Sequence, residues 1–246
     1  MHKKIQIDQK SRTPITSLIG LNYSFRYGYE RSADSIAANT EGQDYLAIQY
    51  DETRIAFVLC DGVSQSFFGD IAARILGDSL VDWFWNQEGI TTYSELGFES
   101  KLVDFLNRLT VIVRAQVQQF RLPDGLALML PEVLEKKRTL GSEATFVAGV
   151  VDLVKQMAHF AWMGDSRLRV WDENLEVSSH LLGDGNFLTK ERWSSHRGCI
   201  GSLHTAIVSL SQINRCVLYS DGLAKLDKKV GKYIPTSGTL EQIIED

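Results

Sequence analysis

The chain has 246 residues, of which 44% are hydrophobic and 23% are charged, and its formal net charge at pH 7 is -5. A chain of this length and composition can bury one sizeable core, so we expect a single domain. The acidic balance and the lack of a long basic run in the sequence argue against a nucleic-acid partner, which would need a basic surface.

The cysteines and the apolar segments bear on the compartment. The three cysteines give no even disulfide framework, so we expect a reducing environment. The first ten residues lack the apolar core of a signal peptide, and no apolar stretch approaches the roughly 18 residues of a membrane span. The sequence therefore predicts a soluble, cytoplasmic protein with no membrane association, which we expect to be a monomer.

The N-terminal third is predicted to contain strands. Residues 1–18 are polar and lack clear periodicity, which predicts a flexible or edge-associated lead-in to a domain over residues 19–246. Apolar runs predict strands at 21–25, 45–50 and 54–60, the last two joined by a short polar hairpin loop.

Two long helices are predicted next. Apolar residues recur at helical spacing over residues 69–85 and about 93–120, and both stripes are expected to be core faces that pack on a sheet. Prolines and glycines in residues 121–140 predict a connector.

Strands return in the C-terminal half of the chain. They are predicted at residues 144–153, 157–163, 168–171, 205–210 and 215–219. Runs of strands interrupted by a pair of long helices are typical of an α+β layered domain, in which helices cover antiparallel sheets.

Three of the predicted strands end in an acid beside a glycine. The pairs are Asp61-Gly62, Gly164-Asp165 and Asp221-Gly222. One such pair alone is more often an ordinary turn, because both residue types tolerate the dihedral angles of turns. Three strand-end acids in one chain favour a metal site, since gathered carboxylates repel one another unless a cation compensates them.

A set of short motifs covers most of the chain. The motifs are Gly42-Gln-Asp-Tyr45, Val58-Leu-Cys-Asp-Gly-Val63, Gly69-Asp-Ile-Ala-Ala73, Gly141-Ser-Glu-Ala-Thr145, Gly164-Asp-Ser-Arg167, Cys199-Ile-Gly201 and Tyr219-Ser-Asp-Gly-Leu223. In their order they resemble the type 2C metal-dependent serine/threonine protein phosphatases in their bacterial form. The resemblance implies a layered α-β-β-α sandwich, with two central antiparallel sheets flanked by helices and a metal site in a cleft at one end.

The resemblance also implies site residues. In that family two divalent cations, usually Mg²⁺ or Mn²⁺, activate the water that attacks phosphoserine or phosphothreonine. Asp61 would bridge both ions, the carbonyl of Gly62 would bind one of them, and Asp221 would hold the other. Asp44 stands at the position of the family's second acid, so Asp44, Asp61 and Asp221 are the predicted catalytic residues. Asp165 matches the acid that helps bind a third, weaker metal in many bacterial members.

Two features depart from the family's pattern. The family closes its metal shell with a further Asp, in an Asp-Asn or Asp-Asp pair after the Ser-Asp-Gly segment, and no such pair follows Leu223. The domain is therefore expected to lack the C-terminal closing segment. The arginine that grips the substrate phosphate in many relatives falls near Asn39, so phosphate recognition stays unassigned.

Alternatives stay open at this point. The leading hypothesis is a phosphatase that acts on phosphoproteins, paired with a serine/threonine kinase. The alternative is a catalytically impaired regulatory or phosphoprotein-binding module, which the two departures favour and the gathered acids oppose. A metal-dependent hydrolase of another class would lack the ordered motifs. For Asp165 the alternative is an ordinary turn, with Arg167 in a surface ion pair. The histidines show no ligand spacing and are not predicted to bind metal.

Overall fold

The computed structural model describes residues 2–87, 94–122, 130–183 and 190–223. Its strands are β1 (Lys3–Gln6), β2 (Thr13–Ile19), β3 (Ser24–Tyr29), β4 (Asp44–Tyr50), β5 (Arg54–Gly62), β6 (Glu143–Asp152), β7 (Met157–Met163), β8 (Arg167–Asp172), β9 (Leu175–Glu176), β10 (Arg192–Ser194), β11 (Gly198–Ile200), β12 (His204–Ser209) and β13 (Arg215–Tyr219). Its helices are α1 (Ala33–Ala37), α2 (Gly69–Asn86), α3 (Glu95–Gln119), α4 (Leu130–Leu140) and α5 (Ser178–Leu182).

One eight-stranded antiparallel sheet forms the first layer. Its order is β1-β4-β5-β6-β10-β11, and β7 pairs with β6 while β12 pairs with β7. A three-stranded sheet, β13-β8-β9, and the β2–β3 hairpin lie in the second layer. Val147 and Phe160 of the first sheet belong to the same buried cluster as Leu168 and Val170 of β8. This cluster is the interior of a sandwich, so the predicted layered antiparallel architecture is confirmed.

Helices α2 and α3 cover the outer face of the first sheet. Leu76 and Leu80 of α2 and Leu102 of α3 are fully buried, in one cluster with Val58 of β5. Burial of each such leucine stabilises the fold by about 1.5–3 kcal/mol, so both apolar stripes are core faces as predicted. Helix α3 begins after Ser94, whose Oγ accepts a hydrogen bond from the Gly97 amide at 3.3 Å. In the described ranges, none of the helices combines the length and apolar character needed to cross a membrane.

The prediction of a connector over residues 121–140 is wrong for its second half. Helix α4 occupies Leu130–Leu140. Pro131 is the second residue of this helix, and proline is tolerated in a first turn because an amide there has no intrahelical acceptor. Proline was therefore a poor reason to exclude a helix at this position.

The N-terminal lead-in is part of the domain's sheets. Strand β1 pairs with β4 at the edge of the first sheet, and Ile7 and Gln9 are buried behind it. Strand β2 continues to Ile19 and forms a hairpin with β3, so a boundary after residue 18 would divide a strand. Side chains in β1 and β2 are mostly exposed or half-buried. The sequence of these strands therefore shows little of the apolar–polar alternation that predicts a strand. The expected lack of a closing segment concerns residues 224–246, which lie outside the described residues.

Candidate metal centre

Two acids face each other across neighbouring strands at one end of the sandwich. Asp44, the first residue of β4, pairs with Asp61 of β5, and Asp61 pairs on its other side with Thr145 of β6. Successive side chains of a strand point to opposite faces. Since Val58 and Cys60 contact the helical layer, Asp61 points toward the second sheet. The carboxyl groups of Asp44 and Asp61 therefore lie between the layers.

The second sheet adds a third acid to this pair. Asp221 directly follows Ser220, which comes after β13, and the Ser220 hydroxyl donates to Oδ2 of Asp44 at 2.9 Å. The carboxyl of Asp61 is hydrogen-bonded to the carboxyl groups of both Asp44 and Asp221. The structure thus brings together the three residues predicted to be catalytic, from two strands of one sheet and the end of the other.

The cluster changes the acidity of its members. Burial raises the pKa of Asp61 above the ordinary value, and the charges of Asp44 and Asp221 raise it further. Burial also raises the pKa of Asp44, although the hydrogen bond from Ser220 acts in the opposite direction. Carboxylates in direct contact cannot all be ionised without compensation. Either shared protons or a cation must therefore accompany this cluster at neutral pH.

The donor set fits a hard divalent cation. Within the described ranges, no three His, Cys, Asp or Glu side chains are spaced around a common cation position. Carboxylate oxygens are the ligands that Mg²⁺ and Mn²⁺ prefer. A cation held by Asp44, Asp61 and Asp221 would compensate the charge of these carboxylates.

Gly62 lies where α2 approaches β5 most closely. A Cβ atom on Gly62 would lie 2.4 Å from the carbonyl carbon of Gly69, and one on Gly69 would lie 2.7 Å from the carbonyl carbon of Gly62. Only glycine fits at both positions. The Gly62 amide donates to the carbonyl of Gln43 at 3.1 Å, and the Val63 amide donates to that of Glu143 at 2.9 Å. These bonds fix the backbone that follows Asp61.

Asp165 lies in the turn between β7 and β8, next to the cluster. Gly164 has φ +101°, and a Cβ atom there would lie 2.4 Å from Cγ2 of Thr145. The hydroxyls of Thr145 and Ser166 are 3.1 Å apart and hydrogen-bonded, which holds the turn against β6. Burial raises the pKa of Asp165, and the charge of Asp221 raises it further. Asp165 is therefore within electrostatic reach of Asp221.

The histidines contact other groups than these acids. Nε2 of His204 lies 2.9 Å from a carboxylate oxygen of Glu191, and Nδ1 of His196 lies 2.9 Å from the hydroxyl of Ser195. His159 is fully buried in the middle of β7, and neither of its ring nitrogens has a hydrogen-bond partner in the part of the chain that the structure describes.

Sequence reasoning missed the polar groups that surround the acids. Ser220 holds Asp44, and Thr145 holds the turn that carries Asp165. Arg192 and Arg197 both form ion pairs with the buried carboxylate of Glu143. The position of Ser220 next to Asp221 was a usable signal. The partners of Glu143 lie 49 and 54 residues away, and nothing in the sequence indicated that pairing.

Comparisons with known proteins agree with this geometry. The sequence matches the protein phosphatase 2C family over residues 31–244. The fold is similar to that of the serine/threonine phosphatase Stp1 from Staphylococcus aureus, with a TM-score of 0.55 and 17% identity over 97% of this chain and 89% of that chain. It is also similar to a bacterial serine phosphatase, with a TM-score of 0.55 and 18% identity over 94% of this chain and 87% of that chain. No curated protein matches the sequence significantly. The motifs, the sandwich and the family match agree, and the chain belongs to the protein phosphatase 2C family of metal-dependent phosphoprotein phosphatases.

Proposed function

We propose that this protein hydrolyses phosphoserine and phosphothreonine in phosphoproteins, using two divalent cations, Mg²⁺ or Mn²⁺, held by Asp44, Asp61 and Asp221. The observation that carries the proposal is the direct contact among these carboxyl groups between the sheets. Such an arrangement is unfavourable unless a cation compensates it. When bound, the cations would lower the pKa of a water and neutralise charge on the transferring phosphoryl group.

Each residue has a distinct role in this proposal. Asp61, at the centre of the cluster, would contact both cations, and the Gly62 carbonyl would add a backbone ligand on the same strand. Asp221 would hold the second cation. Asp44 is oriented by Ser220, which limits the rotation of its carboxylate. Asp165 would bind a third, weaker cation, which its position near Asp221 supports.

The setting of the reaction follows from its chemistry. Phosphomonoesters of serine and threonine are made by kinases, so we infer that the protein opposes a serine/threonine kinase on a shared phosphoprotein. The thiols of Cys60, Cys199 and Cys216 are free, which suits a reducing compartment such as the cytoplasm. We propose that the protein acts there as a monomer.

Phosphate release from a phosphothreonine peptide tests the proposal. The wild type should release phosphate only with added Mn²⁺ or Mg²⁺, and excess chelator should stop the reaction. Asp61→Asn should be slower by about 10²-fold or more, because even changes outside the ligand set usually reduce activity 10- to 100-fold. A wild type that is no faster than Asp61→Asn, while still binding the phosphopeptide, would identify a binding module instead.

A further inference from the structure

Two arginines share one buried carboxylate beside the acid cluster. Nε of Arg192 and Nη2 of Arg197 each donate to the carboxylate of Glu143 at 2.5 Å. The Glu143 side chain is 7% exposed, whereas those of Arg192 and Arg197 are 27% and 52% exposed. One buried carboxylate thus orients two guanidinium groups that reach the surface. The group as a whole carries a net positive charge.

The sheet register places Glu143 on the face that carries the acids. Thr145 pairs with Asp61 across the β5–β6 ladder, and paired residues point to the same face of a sheet. Glu143 precedes Thr145 by two positions, so its side chain points to that face as well. Along a strand, two residues span about 6.6 Å. The carboxylate that binds both arginines is therefore a neighbour of the metal-binding acids.

Arg192 also belongs to this face of the sheet. Trp193 pairs with Ala144 and is buried in the helical layer, so the adjacent Arg192 points the other way. The same register places Arg192 beside Thr145, one strand beyond it. With neighbouring strands about 4.8 Å apart, its Cα lies about 10 Å from that of Asp61. The Arg192 side chain, if it extends along the sheet, can therefore approach a substrate group bound near Asp61.

Both guanidinium groups retain donors. A guanidinium carries five N–H donors. Arg192 uses Nε for Glu143 and Nη1 for the carbonyl of Lys190 at 3.0 Å. In the described ranges, Arg197 donates only to Glu143, through Nη2. The remaining N–H groups can bind further oxygens, and the fixed fork of a guanidinium matches phosphate and carboxylate oxygens well.

We propose that Arg192 and Arg197 form an anion-binding subsite for the substrate, with Glu143 as the positioning residue. The anion is either the scissile phosphoryl group or an acidic group next to the phosphorylated residue. The proposal rests on the proposed function of the acid cluster. It supplies cationic recognition from Arg192 on β10 and from Arg197 in the turn that precedes β11.

Kinetic constants for Arg197→Ala test the subsite, because this side chain is half exposed and its removal should leave the fold intact. The KM for a phosphothreonine peptide should rise about 10-fold, because the variant loses charge-assisted hydrogen bonds to the anion, while kcat changes less. Inhibition by inorganic phosphate should weaken if the scissile phosphoryl group is the ligand. Arg197→Lys should restore part of the affinity, because it keeps the charge but loses the fork.

A purely structural role predicts a different pattern. In that case the ion pairs only fasten β10 and the turn after it to β6, and Arg197→Ala would lower stability without changing KM. The matched control is Arg215→Ala, which removes an arginine that donates to the carbonyl of Glu173 at 2.9 Å, at the end of β13 opposite Asp221. This control should leave KM unchanged. If Arg197→Ala fails to fold, Glu143→Gln provides the same comparison, because it removes the charge that orients both arginines.

Three substrates distinguish the two sources of the anion. A rise in KM with an aryl phosphate, a neutral phosphopeptide and an acidic phosphopeptide alike identifies the scissile phosphoryl group. A rise confined to the acidic phosphopeptide identifies the neighbouring group. Unchanged KM with all three substrates overturns the subsite. If the wild type releases no phosphate, the proposed function fails, and fluorescence anisotropy of a labelled acidic phosphopeptide decides the subsite alone: equal binding by wild type and Arg197→Ala overturns it.

Discussion

The acid cluster between the two sheets and the imidazole of His159 between β7 and α3 are both buried, titratable and unfavourable in isolation. They differ in their surroundings. Asp61 contacts two other carboxyl groups that arrive from separate strands, whereas His159 contacts the ring of Phe98 edge-on at 5.3 Å between centroids. Burial lowers the pKa of His159 to about 4. A shifted pKa alone therefore does not mark a functional site; the convergence of several polar groups does.

The largest effect expected from this comparison is on stability in the presence of a cation. Mn²⁺ at about 100 times its dissociation constant should raise the free energy of unfolding of the wild type by about 2.7 kcal/mol, because the cation binds only the folded protein. Asp61→Asn should show little of this increase. Urea denaturation with and without Mn²⁺ measures both values. An equal increase in the two proteins would place the cation elsewhere.

Asp165 should have a smaller effect, confined to turnover. Asp165→Ala should reduce phosphate release about 10- to 100-fold, the range in which a positioned group near a metal is usually felt. Calorimetric titration should still detect the cations held by Asp61 and Asp221. If turnover is unchanged, Asp165 only shapes the turn between β7 and β8, and the functional region is limited to the other three acids.

His159 should affect only the pH dependence of stability. Its pKa falls from 6.5 to about 4 on folding, so between these values the unfolded chain binds more protons than the folded one. Stability is therefore fully present above pH 6.5 and decreases as pH falls toward 4, by at most about 1.4 kcal/mol per pH unit. His159→Leu should remove this contribution. Urea denaturation at several pH values measures it.

The control for this experiment is His180→Leu, since His180 is exposed on α5. It should keep the wild-type pH dependence. A slope of the same sign that survives in His159→Leu would contradict the prediction, because the raised carboxyl pKa values of the acid cluster make stability fall, not rise, with increasing pH.

The smallest expected effect concerns the hydrogen bond that joins the two sheets. Ser220→Ala should lower the free energy of unfolding of the metal-free protein by about 1 kcal/mol, because the Asp44 carboxyl loses a half-buried hydrogen-bond donor. The control is Ser211→Ala, whose hydroxyl contacts Ser209 at the exposed end of β12. Chemical denaturation compares them. Equal losses would mean that Ser220 adds nothing specific to the acid cluster.

Local patterns in the sequence predicted the strands that consist of continuous apolar runs. The runs at 45–50, 54–60 and 157–163 lie in strands of the structure. A short, dense apolar segment between turn residues is typical of a buried strand. The acids at strand ends were found because glycine neighbours them. Helix α4 was missed, since Pro131 was taken as a helix breaker rather than as a first-turn residue.

The sequence could not predict the contacts that depend on strand register or that join residues far apart in the chain. Ser220 and Asp44 lie 176 residues apart, and neither carries a local signal of the other. Asp44, Asp61 and Thr145 lie side by side on β4, β5 and β6 only in the observed strand register. A shift of β5 by one residue would turn Asp61 to the opposite face of the sheet. The pairing of Glu143 with Arg192 depends on the same register, which pattern reasoning does not provide.

The contact between Gly62 and Gly69 determines which parts of the site can adapt to an ion. Because the two backbones touch, the end of β5 and the start of α2 move as one body, and α2 is anchored by its buried leucines. Asp61 is thus a fixed point of the site. Asp44 lies beside Asp61 on the same sheet, whereas Asp221 follows Ser220 at the end of the second sheet. Adjustment to ions of different radius would therefore come mainly from Asp221, through a change in the spacing of the two sheets.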